Sequence, residues 1–536
     1  MRIAVAGGGP GGLFFATLMR RADPSAEITV FERNRADDTF GFGVVFSDRT
    51  LDVIHHADPV LRQALDGHGR HWDDIEIRLK GERIRCGGNG MAAIARRTLL
   101  ALLQQRARDA GAELRFSTTV TLADLAGYDL VVAADGTGSR IRHQLEAALG
   151  SEAIGTRVET AAAKFIWFGT DYLFDGLTFV HERGPDGVFA VHGYPISAEL
   201  STFIVETDER SWQHAGLDAF DAGQPPGRSD LASKNYLEKL FAGQIDGHRL
   251  LVNNSRWANF RTRRTRRWHV TAPQPVALIG DAVHTAHFSV GSGTKMAMED
   301  AVSLASALAA HPDNLKAALA AFEEAAQPQV RRIQDSARPS LAWWERFGSY
   351  HDAFEPWQFA YHFLTRSITD GRLARRAPDF IAASHRAWNG GHGTEPLRSP
   401  FANGGWSAPG RVVTVCAASG GIPTSAAGEK ELPLSETPQA GPWGARLLAP
   451  DGEDGLSMAK ERLTKIAAAG PVLAAVHGGT PLTRTLLCEQ ARLRLGLPAL
   501  LVDPALGRDE AVTALLSGRA DLVGVQAAMA RQWERG

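Results

Sequence analysis

The sequence predicts an α/β protein in which a parallel sheet is interrupted by an antiparallel sheet and followed by helices and a small parallel α/β domain. Three observations predict this class. Short β-branched runs alternate with helical stretches from residue 1 to about 144. From about residue 164 the pattern changes to aromatic-rich strands joined by Gly, Pro and Asp turns. Strand and helix patterns alternate again after residue 455, and such alternation is typical of parallel sheets.

The amino-terminal third carries the expected parallel sheet. Residues 3–6 and 28–31 are short β-branched runs, and residues 97–110 place their leucines on one helical stripe. Residues 276–280 return to a parallel-type strand, and a long helix is expected over 294–309. Because these segments flank the aromatic-rich region, the antiparallel sheet is expected to be an insertion.

The aromatic-rich region and the segment after it complete the large part of the chain. Turn residues separate four predicted antiparallel strands, at 165–169, 177–181, 188–194 and 202–206. Residues 311–385 are expected to be helical, with several tryptophan and phenylalanine residues as packing anchors.

A change in composition separates this part from the carboxyl-terminal domain. Residues 390–410 and 417–444 are rich in small residues and proline, which predicts a linker and exposed loop. Beyond them we expect helices at 456–469, 482–495 and 508–516, and strands at 471–476, 499–502 and 520–525. The predicted domains are 1–163 and 271–385 for the discontinuous first domain, 164–270 for the inserted sheet, 386–454 for the linker and 455–536 for the last domain.

Composition excludes several functional classes. The 536 residues include 58 basic and 60 acidic side chains, so a dedicated nucleic-acid surface is not expected. Three cysteines, at 86, 416 and 488, are too few and too scattered for a disulfide framework or a zinc cluster, and no metal site is expected. No apolar run approaches the roughly 18 residues of a membrane span. These properties predict a cytoplasmic protein with no membrane partner.

The first chemical motif is the glycine-rich sequence GGGPGG that follows the first strand. Gly7 allows a tight turn, Gly9 lets the backbone approach a pyrophosphate, and Gly12 permits close packing of helix and strand. The helix that begins here offers free N–H groups to an anion. Glu32 ends the next strand, where a carboxylate accepts hydrogen bonds from ribose hydroxyls and disfavours a 2′-phosphate. Together they predict bound FAD or NAD rather than NADP.

Two further motifs follow in order. DLVVAADGTGSR delivers Asp135 and Gly136 to a turn at the end of a β-run. Gly280 and Asp281 end a later strand and precede a glycine-rich helix entry, an arrangement that suits a ribityl hydroxyl beside a second phosphate. Each motif alone is also compatible with an ordinary turn. The three together, in this order, are specific.

These three segments resemble the fingerprints of single-component flavoprotein aromatic hydroxylases, the fold typified by para-hydroxybenzoate hydroxylase, over roughly residues 1–385. The resemblance implies a Rossmann-like FAD-binding domain with an inserted substrate-binding sheet. It also implies reduction of FAD by NADH or NADPH, addition of O2 at flavin C4a, and attack of the hydroperoxide on an electron-rich ring. The expected cofactor-binding residues are Gly7, Gly9, Pro10, Gly12, Glu32, Arg33, Arg96, Asp135, Gly136, Gly280, Asp281, Gly291, Gly293, Thr294 and Lys295.

A narrower resemblance concerns the substrate. GFGVVFSD (41–48), KFIWFGT (164–170), STFIVE (201–206) and HFSVGSGT (287–294) are similar to salicylyl-CoA 5-hydroxylase and 2-aminobenzoyl-CoA monooxygenase/reductase. It implies an aromatic CoA thioester as substrate; the alternative is an indole, tryptophan-like or carrier-bound ring. The catalytic candidates are His287, Phe288, His192 and Tyr194, and Phe168, Phe179 and Phe203 are further candidates to face the substrate.

The arginine-rich segment 256–267 (RWANFRTRRTRR) has two interpretations. It forms a solvated loop, or it binds the phosphates of a CoA thioester, since arginine pairs well with phosphate.

Residues 396–413 and 497–525 resemble the entry and the last units of an old-yellow-enzyme barrel, which binds FMN. Too few residues follow 395 for a closed barrel of at least about 200 residues, so a reduced remnant without FMN is expected. His477 lies where a barrel histidine would bind flavin, but the short domain favours a structural role for it. The short length separates this chain from its bifunctional relatives. Alternatively, residues 411–536 serve in docking or in a homodimer.

Overall fold

The computed structural model describes residues 1–39, 41–220, 227–291, 293–414 and 432–535. The chain forms two compact units, one of residues 1–83 and 88–348 and the other of residues 84–87 and 349–536. The predicted domain boundaries remain predictions.

The strands up to residue 348 are β1 (Arg2–Ala6), β2 (Glu27–Phe31), β3 (Gly43–Ser47), β4 (Arg70–Trp72), β5 (Ile75–Leu79), β6 (Glu82–Cys86), β7 (Met91–Ala95), β8 (Glu113–Arg115), β9 (Leu130–Ala133), β10 (Thr156–Thr170), β11 (Leu177–Gly184), β12 (Gly187–Pro195), β13 (Ser201–Thr207), β14 (Leu250–Val252), β15 (Ala258–Thr265), β16 (His269–Val270) and β17 (Val276–Leu278). The α-helices there are α1 (Pro10–Ala22), α2 (Asp48–Ala57), α3 (Pro59–His68), α4 (Arg96–Asp109), α5 (Arg140–Leu149), α6 (Ser151–Ile154), α7 (Glu209–His214), α8 (Leu231–Leu240), α9 (Gly293–Ala310) and α10 (Leu315–Trp344). Single 3-10 turns cover Ala123–Leu125, Gly280–Ala282 and Phe288–Val290.

The later strands are β18 (Phe401–Asn403), β19 (Trp406–Ala408), β20 (Val412–Thr414), β21 (Leu434–Ser435), β22 (Gly444–Leu448), β23 (Leu473–His477), β24 (Ala499–Val502) and β25 (Leu522–Val525). The later helices are α11 (Phe347–Ala353), α12 (Pro356–Leu364), α13 (Asp370–Ala374), α14 (Pro378–His392), α15 (Leu456–Ala467), α16 (Pro481–Leu495), α17 (Arg508–Leu516) and α18 (Ala527–Arg535), with 3-10 turns at Pro396–Arg398 and Glu453–Gly455.

The parallel sheet of the first unit has the strand order β16-β17-β9-β1-β2-β8. Its pairs are parallel except at the β16 edge, and β1 lies between β2 and β9. Strands β1 and β9 are completely apolar at their buried positions, as expected for strands covered on both faces. The carboxyl ends of β1, β9 and β17 therefore bring all three predicted motifs to one edge of the sheet.

The antiparallel region forms an eight-stranded sheet with the order β14-β10-β13-β12-β11-β5-β6, and β15 also pairs with β10. Strand β10 begins at Thr156, eight residues before the predicted insertion, because its first half pairs with β15. One face packs on α8 through Phe168, Phe203 and Phe241. Alternation puts His192 and Tyr194 on the opposite face. The prediction that Phe168 and Phe203 face the substrate is therefore wrong, since both are in the core under α8.

The second unit contains a six-stranded sheet with the order β20-β25-β24-β23-β22-β21, and every pair in it is parallel. From β21 onward each strand pairs with its successor, and the first strand, β20, pairs with the last. This is the order of strands around a (β/α) barrel, and it confirms the predicted reduced parallel α/β remnant.

The predicted linker is only partly a loop. Strands β18 and β19 form an antiparallel hairpin, and its Phe401 and Trp406 are buried against the second unit's core with Leu473. Glycine turns at 404 and 405 gave this segment the composition of a linker. Residues 415–431, which include Cys416 and much of the predicted loop, lie outside the described part. Neither of the two described cysteines, Cys86 and Cys488, forms a disulfide within the described part of the chain.

A buried charged cluster ties the helices of the second unit together. Glu489 accepts hydrogen bonds from the Tyr350 hydroxyl (2.5 Å) and from His362 Nε2 (3.1 Å), and Arg519 lies 3.8 Å away. Burial, together with the positive charge of Arg519, lowers the pKa of His362 to about 4. A neutral His362 is thus part of the folded state.

We expect the second unit to lose stability as the pH falls. In the unfolded chain His362 takes up a proton near pH 6.5, whereas in the folded protein it does so only near pH 4. The contribution is complete above pH 6.5 and falls by on the order of 3 kcal/mol between pH 6.5 and 4. Thermal unfolding measured across this range tests it. In His362→Gln that part of the pH dependence should disappear; an unchanged slope would contradict the assignment.

Within the described part of the chain, no helix has both the length and the apolar character needed to cross a bilayer.

Candidate active site

The glycine-rich turn has the geometry that its sequence requires. Gly7 has φ +115°, and a Cβ there would lie 2.2 Å from the carbonyl oxygen of Ala134. A Cβ on Gly12 would lie 2.2 Å from the carbonyl oxygen of Gly7. A Cβ on Gly9 would meet no atom within 4 Å. Gly7 and Gly12 are therefore required by the fold itself. Gly9, in contrast, borders open space where α1 begins at Pro10.

Glu32 fixes this turn to the end of β2. Its Oε2 accepts a hydrogen bond from the backbone N–H of Gly8 (2.8 Å), and its Oε1 accepts from the N–H and the side-chain amide of Asn34 (2.8 Å each). The carboxylate thus lies beside the first turn, where the sequence placed a partner for ribose hydroxyls. Arg33 is exposed.

The second motif presents a carboxylate oxygen without a protein partner. Asp135 Oδ2 accepts from the N–H of Ile141 (3.2 Å), while its Oδ1 is buried and has no hydrogen-bond partner among the described residues. Gly136 follows with φ +80°. A carboxylate oxygen in this position can accept a hydrogen bond from a ligand hydroxyl.

The buried residue Arg142 joins the second motif to the third. The sequence did not reveal this link. Its Nη1 donates to the carbonyl of Ala282 (2.6 Å), and Arg263 donates to the carbonyl of Asp281 (2.8 Å). Asp300 in α9 accepts from the N–H of Gly280 (2.8 Å). These bonds hold the Gly280–Asp281 turn in place. Burial raises the pKa of Asp281, and the nearby positive charges only partly offset that effect.

Asp300 also binds His284. His284 Nε2 lies 2.7 Å from Asp300 Oδ2, and both side chains are buried. The acidic residue on α9 therefore has an internal partner and positions the turn.

Arg96 is the clearest sign of an anionic ligand. Its Nε is buried and lacks a hydrogen-bond partner among the described residues. Its guanidinium lies 5.8 Å from the Trp167 ring centroid, and burial lowers its pKa despite the charges of Tyr194 and Asp281. A half-buried cation with a buried, unused donor favours a compensating partner. A pyrophosphate would supply one, so the residues present fit FAD.

The loop before α9 provides open backbone. Gly291 has φ +61°, and a Cβ on Gly293 would meet nothing within 4 Å. Thr294 follows in the first turn of α9. Lys295 is different, because its ammonium forms an ion pair with Glu299 at 2.7 Å. This loop therefore offers its backbone to a ligand, rather than the side chain of Lys295.

Phe288 in this loop packs on the inner face of the antiparallel sheet. Its ring centroid lies 4.9 Å from that of Phe165, 5.3 Å from that of His192 and 6.2 Å from that of Trp167. Tyr194 stacks on Trp72 at 6.3 Å. Burial raises the pKa of Tyr194 to about 12, against smaller opposing effects of Thr202 and Arg96. These five aromatic residues beside His192 form what we call the aromatic face.

A buried carboxylate joins the two histidine candidates. Glu206 Oε2 lies 2.7 Å from His192 Nε2, and Glu206 Oε1 lies 3.2 Å from His287 Nε2. Burial alone would raise the pKa of Glu206, but the two histidines lower it to about 2. Sequence reasoning missed Glu206. The signal was a single acidic residue in the otherwise uncharged strand STFIVET.

The arginine-rich segment is not a solvated loop. It forms β15, paired with β10. Arg263 is buried, Arg264 pairs with Asp335 (3.0 Å), and Arg266 donates to the carbonyl of Glu152. The prediction of a loop is therefore wrong, and binding of CoA phosphates by this segment remains a prediction.

Comparison with known proteins agrees with this geometry. A family model described as an FAD binding domain matches residues 1–337. The chain belongs to this family of FAD-dependent aromatic monooxygenases. FAD is therefore the cofactor of this monooxygenase, and an aromatic compound and O2 are its substrates.

Two curated relatives cover the monooxygenase to different extents. Salicyloyl-CoA 5-hydroxylase of Streptomyces sp is 56% identical over 98% of this chain and 99% of its own length. The 3-hydroxy-4-methyl-anthranilyl-[aryl-carrier protein] 5-monooxygenase of Streptosporangium sibiricum is 38% identical over 65% of this chain and 90% of its own length. The first match extends over nearly the whole chain, so the length of the monooxygenase does not separate it from this relative.

Solved structures show the same fold. PqsL of P. aeruginosa in complex with 2-aminobenzoylacetate is 20% identical, with a TM-score of 0.50 over 66% of this chain and all of that one. CtdE in complex with FAD and substrate is 15% identical, with a TM-score of 0.51 over 68% and 98% of the two chains.

Proposed function

We propose that this monooxygenase hydroxylates the ring of an aromatic CoA thioester of the salicylyl or 2-aminobenzoyl type. The observation that carries the proposal is the aromatic face, which meets the Phe288 loop beside the motifs that fit FAD. The near full-length identity of 56% to a protein named salicyloyl-CoA 5-hydroxylase supports the same substrate class. An aromatic acyl group would lie on this face, with its thioester directed away from it.

The proposed roles follow from the geometry. The N–H groups at the start of α1 and the guanidinium of Arg96 would bind the pyrophosphate, and Glu32 the adenosine ribose. Asp135 and Asp281 would accept hydrogen bonds from hydroxyl groups of the cofactor. The N–H groups of Gly293 and Thr294 at the start of α9 would stabilise negative charge on the reduced ring. Bound and reduced, FAD activates O2 and supplies one oxygen atom to an electron-rich carbon.

The remaining substrate is a reductant. We propose that NADH or NADPH reduces the flavin and then dissociates. We also propose that the reaction takes place in the cytoplasm. A homodimer is the assembly that we propose.

A carrier-bound ring is the second candidate for the substrate. The relative from Streptosporangium sibiricum, whose name gives an aryl-carrier protein, supports it. Its match covers 65% of this chain, whereas the thioester hydroxylase matches 98%, so the CoA ester is favoured. A ring of the indole type has less support, since the protodeoxyviolaceinate monooxygenase of Chromobacterium violaceum is 33% identical.

One assay distinguishes these substrates. The purified protein should contain one FAD per chain, and NAD(P)H oxidation should rise at least about tenfold with salicylyl-CoA or 2-aminobenzoyl-CoA. Mass spectrometry should find a product heavier by one oxygen atom. The free acids and the carrier-bound acyl groups are the controls. Equal stimulation by the free acids would contradict the thioester proposal, and preference for the carrier-bound ring would favour the second candidate.

A further inference from the structure

Glu206 stands out among the buried ionisable groups of the first unit. Its side chain is 1% exposed, and the two histidines that it binds, His192 and His287, are 5% and 2% exposed. The three side chains come from β13, from β12 and from the loop before the Phe288–Val290 turn. The cofactor motifs do not account for this cluster.

The hydrogen-bonded chain extends beyond the histidines. His287 Nδ1 lies 2.8 Å from the hydroxyl of Ser289, which lies 2.9 Å from the hydroxyl of Ser340 on α10. The sequence His192–Glu206–His287–Ser289–Ser340 is thus a continuous set of contacts within hydrogen-bond distance. Within this series His192, at the end beside the aromatic face, is an imidazole that can take up a proton.

This hydrogen-bonded series begins at His192, beside the aromatic face. The His192 ring lies 4.2 Å from that of Trp344, 5.1 Å from that of Phe179 and 5.3 Å from that of Phe288. The His192 ring therefore packs among aromatic rings, of which Phe288 belongs to the aromatic face. In such surroundings an acid–base group acts in a low dielectric, where its partners determine its charge.

Several elements pack against these hydrogen-bonded side chains. The ionisable groups are Glu206 on β13, His192 on β12 and His287 before the turn. His181 on β11 and Tyr194 on β12 come next along the same face; His181 lies 5.9 Å from Trp344 by ring centroids. From α10 come the uncharged residues Trp344 and Ser340.

The ionised carboxylate of Glu206 fixes the orientation of the His192 ring through its 2.7 Å contact with Nε2. A histidine that donates Nε2–H to a carboxylate is fixed in the tautomer with Nδ1 as the acceptor. When that atom takes a proton, an imidazolium forms beside the negative charge of Glu206. The buried pair then has no net charge, so the proton is stabilised there.

We propose that Glu206 is a positioning residue that makes His192 the acceptor of the phenolic proton of a 2-hydroxyaryl thioester. In this step the O–H bond breaks, and a new N–H bond forms at His192 Nδ1. The electron pair of the broken bond stays on the phenolic oxygen, which donates more strongly into the ring. No electrons enter or leave the pair of molecules. The inference rests on the proposed function, because it specifies how that substrate is bound and activated.

The test compares the wild-type holoenzyme with Glu206→Gln, which keeps the shape of the side chain and removes its charge. Anaerobic titration with salicylyl-CoA should produce the absorbance band of the bound phenolate in the wild type at neutral pH. The band should be absent in Glu206→Gln and appear only at higher pH. A merely structural role would not move this pH dependence.

Turnover provides the second readout. A general base typically contributes about 100-fold or more, so kcat of Glu206→Gln with salicylyl-CoA should fall about 100-fold at neutral pH. It should recover as the pH rises and the substrate ionises by itself. FAD content and the binding of benzoyl-CoA, which lacks the hydroxyl, should not change. Glu182→Gln, on β11 of the same sheet, is the matched control.

The outcomes are separable. A phenolate band in Glu206→Gln at the same pH as in the wild type would overturn the inference. If Glu206→Gln does not fold, His192→Gln replaces it: the band should again be absent, and its persistence would overturn the inference. Wild-type protein that binds neither thioester would refute the proposed function itself. Wild-type protein that binds and hydroxylates salicylyl-CoA without the band would refute this inference alone.

Discussion

Replacing Gly7 by alanine should yield a protein that retains no FAD and unfolds at a markedly lower temperature. The Cβ would lie 2.2 Å from the carbonyl oxygen of Ala134, which is main chain and cannot move aside as a flexible side chain does. The residue would also have to keep φ near +115°. Strain and overpacking together cost about 3 kcal/mol or more. Because Ala134 precedes Asp135, the displacement would also disturb the second motif.

Gly9→Ala is the matched control for this prediction. Gly9 has φ −78°, which alanine adopts readily, and the added Cβ would meet no atom of the described residues within 4 Å. Its apoprotein should unfold at the wild-type temperature, while its affinity for FAD falls because the methyl group occupies the cofactor's approach. Thermal unfolding of both apoproteins and flavin titration measure the two effects. Equal stability of Gly7→Ala and Gly9→Ala would contradict this account.

Replacing Arg96 by methionine should weaken FAD binding by about 100-fold without destabilising the apoprotein. Removing one partner of a buried charge pair costs about 2–5 kcal/mol of binding free energy, and about 2.7 kcal/mol corresponds to 100-fold. Among the described residues the buried Nε of Arg96 has no hydrogen-bond partner, so without flavin its removal leaves no known protein group unpaired.

Arg97→Met is the control for this change. Arg97 is the next residue in α4 and is exposed, so its replacement should leave both FAD affinity and stability unchanged. Flavin fluorescence quenching on the apoproteins gives the affinities, and thermal unfolding gives the stabilities. A loss of stability in Arg96→Met that equals its loss of affinity would show that Arg96 supports the fold rather than the cofactor.

Local sequence signals predicted the fold of the first unit well. The turn at Gly7 and the β-branched runs that flank it specify a strand, a turn and a helix by short-range physics. The linker prediction was partly wrong because it, too, relied on local signals alone. Glycines 404 and 405 suggested a loop, whereas Phe401 and Trp406, on either side of them, bury their rings in a core that only the fold assembles.

The site was less predictable, because its contacts join residues far apart in the chain. Alternation showed that His192 and Tyr194 share a face, but not which face is the inner one; α8 covers the other. Glu206 was missed because its two histidine partners are 14 residues before it and 81 residues after it in sequence. A lone carboxylate in an uncharged strand becomes informative only when its neighbours across the sheet are known.

The hydrogen bonds that hold the three motifs in place have a consequence for the exchange of the cofactor. Glu32 holds the first turn, Arg142 joins the second motif to the third, and Asp300 holds the Gly280 turn, all through protein atoms alone. These bonds that hold the turns do not depend on contacts with flavin. Loss of the cofactor should leave an intact, refillable protein, which can exchange its flavin and accept modified flavins as chemical reporters.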